Sequence, residues 1–219
     1  MNFGYNDFFS FLVYGTLIYK MKEVASHGVL TPLRILDIGP GSGYFPFITA
    51  ALGKTIDVID INSHLIPTLQ KISRLRPSSA GTVIHGSIYS EPAVQPYHIV
   101  TSVNTMNLHT NADPQTQPSH EYVDPPEFDR VHYAAHMLSG LWATWDWLVP
   151  GGYGLHFIAG RVLLSPQMIE KWTGFKVIEK GETDSGTCHR MRFTYFVLQR
   201  PPNASKILRP TTRALEAAA

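Results

Sequence analysis
The chain has 219 residues, 44% hydrophobic and 16% charged, with a formal net charge of +1 and a single cysteine, Cys188. The length suits one domain with a sizeable core, and the composition excludes a disordered chain. Near-neutral charge gives no argument for a nucleic-acid surface, and one cysteine excludes an internal disulfide framework and fits a reducing, cytoplasmic compartment.

Tyr5 to about His27 holds a run of aromatic and aliphatic residues broken by Ser10, Gly15 and Thr16. The run is too short for a membrane span and lacks the basic start and cleavage site of a signal peptide. It is expected to form a helix over the domain, serving as core packing, a homodimer face or a lid on a ligand cleft.

Ile35-Leu36-Asp37-Ile38 then reads as a buried strand. Glycines follow at alternate positions, Gly39, Gly41 and Gly43, where the chain can turn sharply and a ligand can approach bare backbone. Phe45 to Leu52 suits a helix with an early proline, and Gly53 supplies its stop. The next apolar run, Thr55 to Ile59, ends at Asp60, a carboxylate able to accept from both hydroxyls of a ribose. The glycine spacing is one residue shorter than the dinucleotide fingerprint G-x-G-x-x-G.

This D-x-G-x-G-x-G run, with an acid at the end of the following strand, resembles motif I of class I S-adenosylmethionine-dependent methyltransferases. The resemblance implies S-adenosylmethionine as cofactor. Asp37 would sit near its amino group, and the backbone at Gly39, Gly41 and Gly43 near its methionine portion and ribose. Asp60 would hold the ribose hydroxyls, with Ile61 beside it at the cofactor.

Ser63 is expected to cap a helix running to about Leu75, with Pro67 tolerated in its first turn. Thr82 to His85 reads as a third strand. After it the family usually has a Gly-Asp pair whose acid meets the adenine amino group; here the pair is Gly86-Ser87, and serine can still accept a hydrogen bond. Tyr97 to Val103 reads as the fourth strand, at whose carboxyl end substrate residues tend to gather. Asn104, Asn107 and His109 are candidates there for orienting or deprotonating a substrate, Asn104 also for touching the cofactor. The Asn/Asp-Pro-Pro-aromatic motif of the base-methylating branch is missing.

Thr110 to Glu127 is polar and proline-rich, either a substrate-side cover or a surface insertion. Phe128 to Leu148 has helical apolar spacing; His132 and His136 lie one turn apart without a third ligand at supporting spacing, so no metal is expected. Val149-Pro150-Gly151-Gly152 before Tyr153 to Ile158 resembles the Leu-x-Pro-Gly-Gly turn and fifth strand of the same superfamily. Ser165-Pro166 starts a helix, and Phe175 to Glu179 and Met191 to Gln199 read as strands resembling its closing antiparallel hairpin.

These readings combine into an α/β three-layer sandwich with a Rossmann-like, mostly parallel seven-stranded sheet whose last strand is antiparallel. Residues 1–30 form a helical amino-terminal segment, 31–200 a methyltransferase-like domain, and 201–219 a flexible tail. The implied reaction is in-line methyl transfer to an oxygen or nitrogen of a small molecule, with His109 and Asn104 as catalytic candidates. Protein or RNA methylation, and a non-methylating S-adenosylmethionine-binding protein, are the alternatives.

Overall fold
The first strand, β1 (Ile35–Ile38), is buried along its whole length, as a central parallel strand covered on both faces must be. It belongs to a computed structural model that describes residues 7–26, 33–41, 43–51, 56–74, 81–89, 91, 93, 96–103, 105, 137–159, 162, 164–184 and 192–208. In chain order the elements are α1 (Asp7–Ser26), β1, α2 (Tyr44–Ala51), β2 (Ile56–Asp60), α3 (Ile66–Ser73), β3 (Val83–His85) and β4 (Tyr97–Val103). There follow α4 over residues 137–144, β5 (Leu148–Ala159), α5 (Pro166–Thr173), β6 (Lys176–Asp184) and β7 (Arg192–Gln199).

The strands form one seven-stranded sheet in the order β3-β2-β1-β4-β5-β7-β6. β1 pairs in parallel with β2 and β4, while β7 runs antiparallel to both β5 and β6. Alternation along each strand divides the core in two. Ile35, Ile99, Leu155 and Phe157 pack with Val13, Leu17 and Met21 of α1 and Phe45 of α2. Leu36, Ile38, Val100 and Ile158 pack on the opposite face with Met137, Leu138 and Leu141 of α4 and Ile169 of α5. This is the three-layer sandwich expected from the sequence, with the antiparallel strand in the expected place.

Local chemistry explains where the elements depart from expectation. Ser63 does not cap α3: residues 63–65 form a turn, and Leu65 occupies the cap position without a side-chain bond. The turn is built by Asp60 and Asn62 instead. Asp60 Oδ1 accepts from the Asn62 N–H at 2.8 Å, and Asn62 Oδ1 accepts from the His64 N–H at 3.0 Å, the local competition that polar side chains offer to helix. The Pro150-Gly151-Gly152 turn lies inside β5 rather than before it. Pairing with β4 shifts register there, and Gly151 takes φ +83°. Arg200, just past β7, fastens this irregularity through backbone bonds to Gly151 and Gly152 and through guanidinium bonds to the Trp145 and Leu148 carbonyls.

Of the helix expected to end at Leu148, the described part stops at residue 144, and a 3-10 turn, Trp145–Trp147, leads into β5. Residues 201–208 are held down on α4: Trp142 Nε1 donates to the Ile207 carbonyl at 2.8 Å, and Lys206 pairs with Asp146. α1 is tied to the edge strand by a Lys20–Glu179 ion pair of 2.5 Å, whose carboxylate also accepts from the Tyr195 hydroxyl. Among the described residues no helix is long and apolar enough to cross a membrane. Asn104, Asn107, His109, the 110–127 segment, His132, His136, Cys188 and residues 209–219 lie outside the described residues.

Candidate functional site
The carboxyl ends of β1, β2 and β4 lie side by side, and the polar groups of the sheet gather there. Asp37, on β1, is 2% exposed, and its Oδ1 accepts from the Thr101 hydroxyl of β4 at 2.7 Å. Thr101 is the register partner of Asp37, so pairing alone delivers the donor to the acid. Burial pushes the Asp37 carboxyl up to about 7; the Thr101 bond pulls the other way, and the neighbouring Asp60 adds to the rise. Tyr14 of α1 lies near by, its ring stacked on Phe45 and tilted against Tyr44, each at 5.5 Å. Burial first, then the charges of Asp37 and Tyr44, raise the Tyr14 hydroxyl above its ordinary value.

The three glycines share a left-handed backbone, with φ of +61°, +57° and +81°, but they serve different ends. A Cβ on Gly39 would fall 2.5 Å from the Thr105 methyl, and one on Gly43 would fall 2.5 Å from Ile72 of α3. Those two are glycine because neighbouring side chains occupy the space. Among the described residues a Cβ on Gly41 would meet nothing within 4 Å, so Gly41 alone of the three has no described side chain against it, and its backbone is free to meet a ligand there.

Asp60, 7% exposed at the end of β2, faces this tip. Its carboxylate accepts the Asn62 N–H and also main-chain N–H groups of Gly41 and Ile61. Burial raises the Asp60 carboxyl, while those N–H groups and His85 draw it back. The side chain clasps the glycine turn to the β2 end. Ile61 follows with 62% of its surface exposed, an apolar face at the mouth of a polar site. The His85 ring reaches the Ile61 carbonyl at 3.3 Å. After β3, a Cβ on Gly86 would strike Glu91, and Ser87 Oγ accepts from the Tyr89 N–H at 3.3 Å.

The structure thus brings Asp37, Gly39, Gly41, Gly43, Asp60 and Ile61 together on β1, β2 and the turns that follow them, with Gly86 bonded through its N–H to the Asp60 carbonyl at 3.0 Å and Ser87 next in the chain. Asn104 and His109 fall outside the described residues. Thr101, Thr105 and Tyr14 were not singled out from the sequence. Thr101 becomes legible once β1 and β4 are paired, whereas Tyr14 needs the docking of α1, for which the sequence holds no local signal.

The Asp60 carboxylate is a group that can accept from hydroxyl donors, and the exposed Ile61 beside it is one that can cover an apolar ring. The buried acid Asp37 suits a cationic group beyond it. Among the described residues no group of three or more His, Cys, Asp or Glu side chains could hold a metal ion.

Solved structures show the same fold. A protein from Galdieria sulphuraria described as a sarcosine dimethylglycine methyltransferase matches at 11% identity and TM-score 0.60, covering 88% of this chain and 87% of its own. The N-methyltransferase NodS from Bradyrhizobium japonicum WM9, in complex with S-adenosyl-L-homocysteine, matches at 14% identity and TM-score 0.57, covering 88% of each chain. The [4+2]-cyclase SpnF matches at 14% identity and TM-score 0.54, covering 84% of this chain and 81% of that one. No protein-family model matches the chain, and no curated protein sequence does. The chain has the class I S-adenosylmethionine-dependent methyltransferase fold.

Proposed function
We propose that the chain binds S-adenosylmethionine at the β1–β2 opening and catalyses transfer of its methyl group to an oxygen or nitrogen of a small molecule. The observation that carries this reading is the pairing of the open Gly41 tip with the Asp60 carboxylate inside a class I methyltransferase fold. When bound, the sulfonium supplies an already activated methyl group. The chain's own work is to bind, orient and exclude water. Asp60 accepts the ribose hydroxyls while keeping the turn in shape, Ile61 covers the adenine, and Asp37, ionised, faces the amino group. Alignment of reacting groups is worth roughly 7–11 kcal/mol of barrier. Asn104 and His109, on the segment leaving β4, are our candidates for holding the substrate and removing its proton, a step worth about 10²–10⁴ in rate.

A second reading, an S-adenosylmethionine-binding protein that does not methylate, is favoured by two observations. Serine stands at position 87, where the family usually has an acid, and a [4+2]-cyclase shares the fold. Calorimetry with S-adenosyl-L-homocysteine tests both readings, since absence of heat at millimolar ligand removes both. Labelled methyl transfer from S-adenosylmethionine into a cell extract then separates them, and the class of molecule labelled tests the small-molecule assignment. Replacing His109 by alanine is expected to lower turnover and leave cofactor affinity unchanged; equal turnover would dismiss it as the base.

A further inference from the structure
Thr105 stands one residue past Asn104, where the chain leaves β4 toward the proposed substrate side. Its side chain reaches across to the end of β1. Oγ1 lies 2.9 Å from the Ile38 carbonyl, 3.2 Å from that of Gly39 and 3.3 Å from that of Val103. A hydroxyl carries one proton, so the Ile38 carbonyl, the nearest, is the main acceptor, with the other two grouped around the same oxygen. The methyl and hydroxyl of Thr105 also fill the place where a Cβ of Gly39 would stand, at 2.5 and 2.6 Å.

One side chain therefore does two things to the root of the glycine turn. It occupies the space that keeps residue 39 a glycine at φ +61°, and it donates to the Ile38 carbonyl, in the peptide that enters the turn. Gly39 is held from its other side by its own N–H, which donates to the Ile59 carbonyl of β2 at 2.8 Å. Two residues on, the Gly41 N–H meets Asp60. The direction in which the tip points is thus set at Gly39, between β2 and Thr105.

We propose that Thr105 is a positioning residue that holds the glycine turn in its ligand-accepting shape. The proposal rests on the cofactor reading above for its ligand, and on the hydrogen bond to Ile38 and the filled space at Gly39 for its mechanics.

Thr105→Val keeps the shape and removes the donor; Thr105→Ser keeps the donor and removes the methyl. Amide exchange in the ligand-free protein reports the turn directly, and calorimetry with S-adenosyl-L-homocysteine reports its fitness for ligand. In T105V the amides of Gly39 and Gly43 are expected to exchange roughly tenfold faster, with β5 and β7 amides unchanged, and affinity to fall about three- to tenfold, the effect of one lost hydrogen bond. In T105S both are expected within about twofold of the wild type. Wild-type exchange in T105V, or equal impairment of T105S and T105V, overturns the proposal. If the wild-type protein binds no S-adenosyl-L-homocysteine, the cofactor reading fails, while the exchange comparison still decides the role of Thr105. Should T105V not fold, T105C, a weaker donor, is read by the same two measurements against the same outcomes.

Discussion

Asp37→Asn separates the two demands that meet at the buried acid. Asparagine keeps an oxygen for the Thr101 hydroxyl and nearly the same volume, but it does not titrate. In the wild type, burial raises the carboxyl from an ordinary 3.8 to about 7. Between those values the folded protein holds a proton that the unfolded chain has released. Stability from this group is therefore fully present below 3.8 and is lost as pH rises to about 7. Each pH unit inside that window corresponds to about 1.4 kcal/mol. From pH 8 down to pH 5 the wild type should thus gain roughly 2–3 kcal/mol relative to Asp37→Asn.

The comparison must be a difference, because His156 titrates in the opposite sense. It is wholly buried on β5, its Nδ1 lies 2.9 Å from Ser102 Oγ, and burial lowers it to about 3. The unfolded chain therefore takes up this proton first, and stability falls as pH drops below about 6.5. That slope is common to both proteins and cancels. Urea unfolding at half-unit steps of pH, with the m-value held as a check on two-state behaviour, supplies the numbers. A wild-type minus mutant difference that stays flat from pH 5 to pH 8 would refute the assignment of a proton to Asp37.

The same linkage predicts that S-adenosyl-L-homocysteine, whose amino group is cationic, binds with release of a proton below pH 7. Calorimetry in buffers of different ionisation enthalpy would show it, and Asp37→Asn should abolish the release. Asp60→Ala should weaken cofactor binding by about 1.5–3 kcal/mol if the carboxylate makes charge-assisted bonds to the ribose; unchanged affinity would remove that role. Gly43→Ala should cost about 2–4 kcal/mol of stability, from a strained φ and from collision with Ile72, whereas Gly41→Ala should cost only about 1 kcal/mol. In Gly41→Ala the loss should appear instead as weaker ligand binding, and the reverse pattern would contradict the division of labour in the turn. Ser165→Ala, removing the 3.1 Å cap to the Met168 N–H, should lower stability by about 1 kcal/mol in thermal or urea unfolding and leave ligand affinity untouched.

What the sequence announced most clearly was what local chemistry encodes. The run Ile35–Ile38 ends in an acid and alternate glycines, and the strand and turn lie where that pattern puts them. Tyr97–Val103 has the bounds read from its apolar run. The Pro150-Gly151-Gly152 turn was legible as a turn but not as an irregularity within β5, because its register depends on β4 and on Arg200. Ser63 has the chemistry of a cap, yet Asp60 and Asn62 build a competing turn first. In the candidate site the two acids could be read from their places at strand ends. The partners that tune them could not: Thr101 reaches Asp37, and Tyr14 nears it, only across the sheet and from another layer. The glycines show the same limit. Their spacing reveals that side chains are unwelcome, but only packing shows that Gly39 yields to Thr105, Gly43 to α3, and Gly41 to no described side chain.

The strand order has a consequence for how the chain comes into being. β7 lies between β5 and β6, so a strand synthesised after both enters the sheet interior rather than its margin. Until residues 192–199 leave the ribosome, the β7-facing side of β5 stays unpaired and β6 has no neighbour to join. The half of the sheet that carries the glycine turn needs only β1 to β4, whose pairings are complete much earlier. A nascent chain can thus own a finished glycine turn while the other half is a raw, apolar edge of the kind that recruits other chains. Release from that exposure comes only with residues 192–199, and a chain cut short before Arg192 would keep the edge for good.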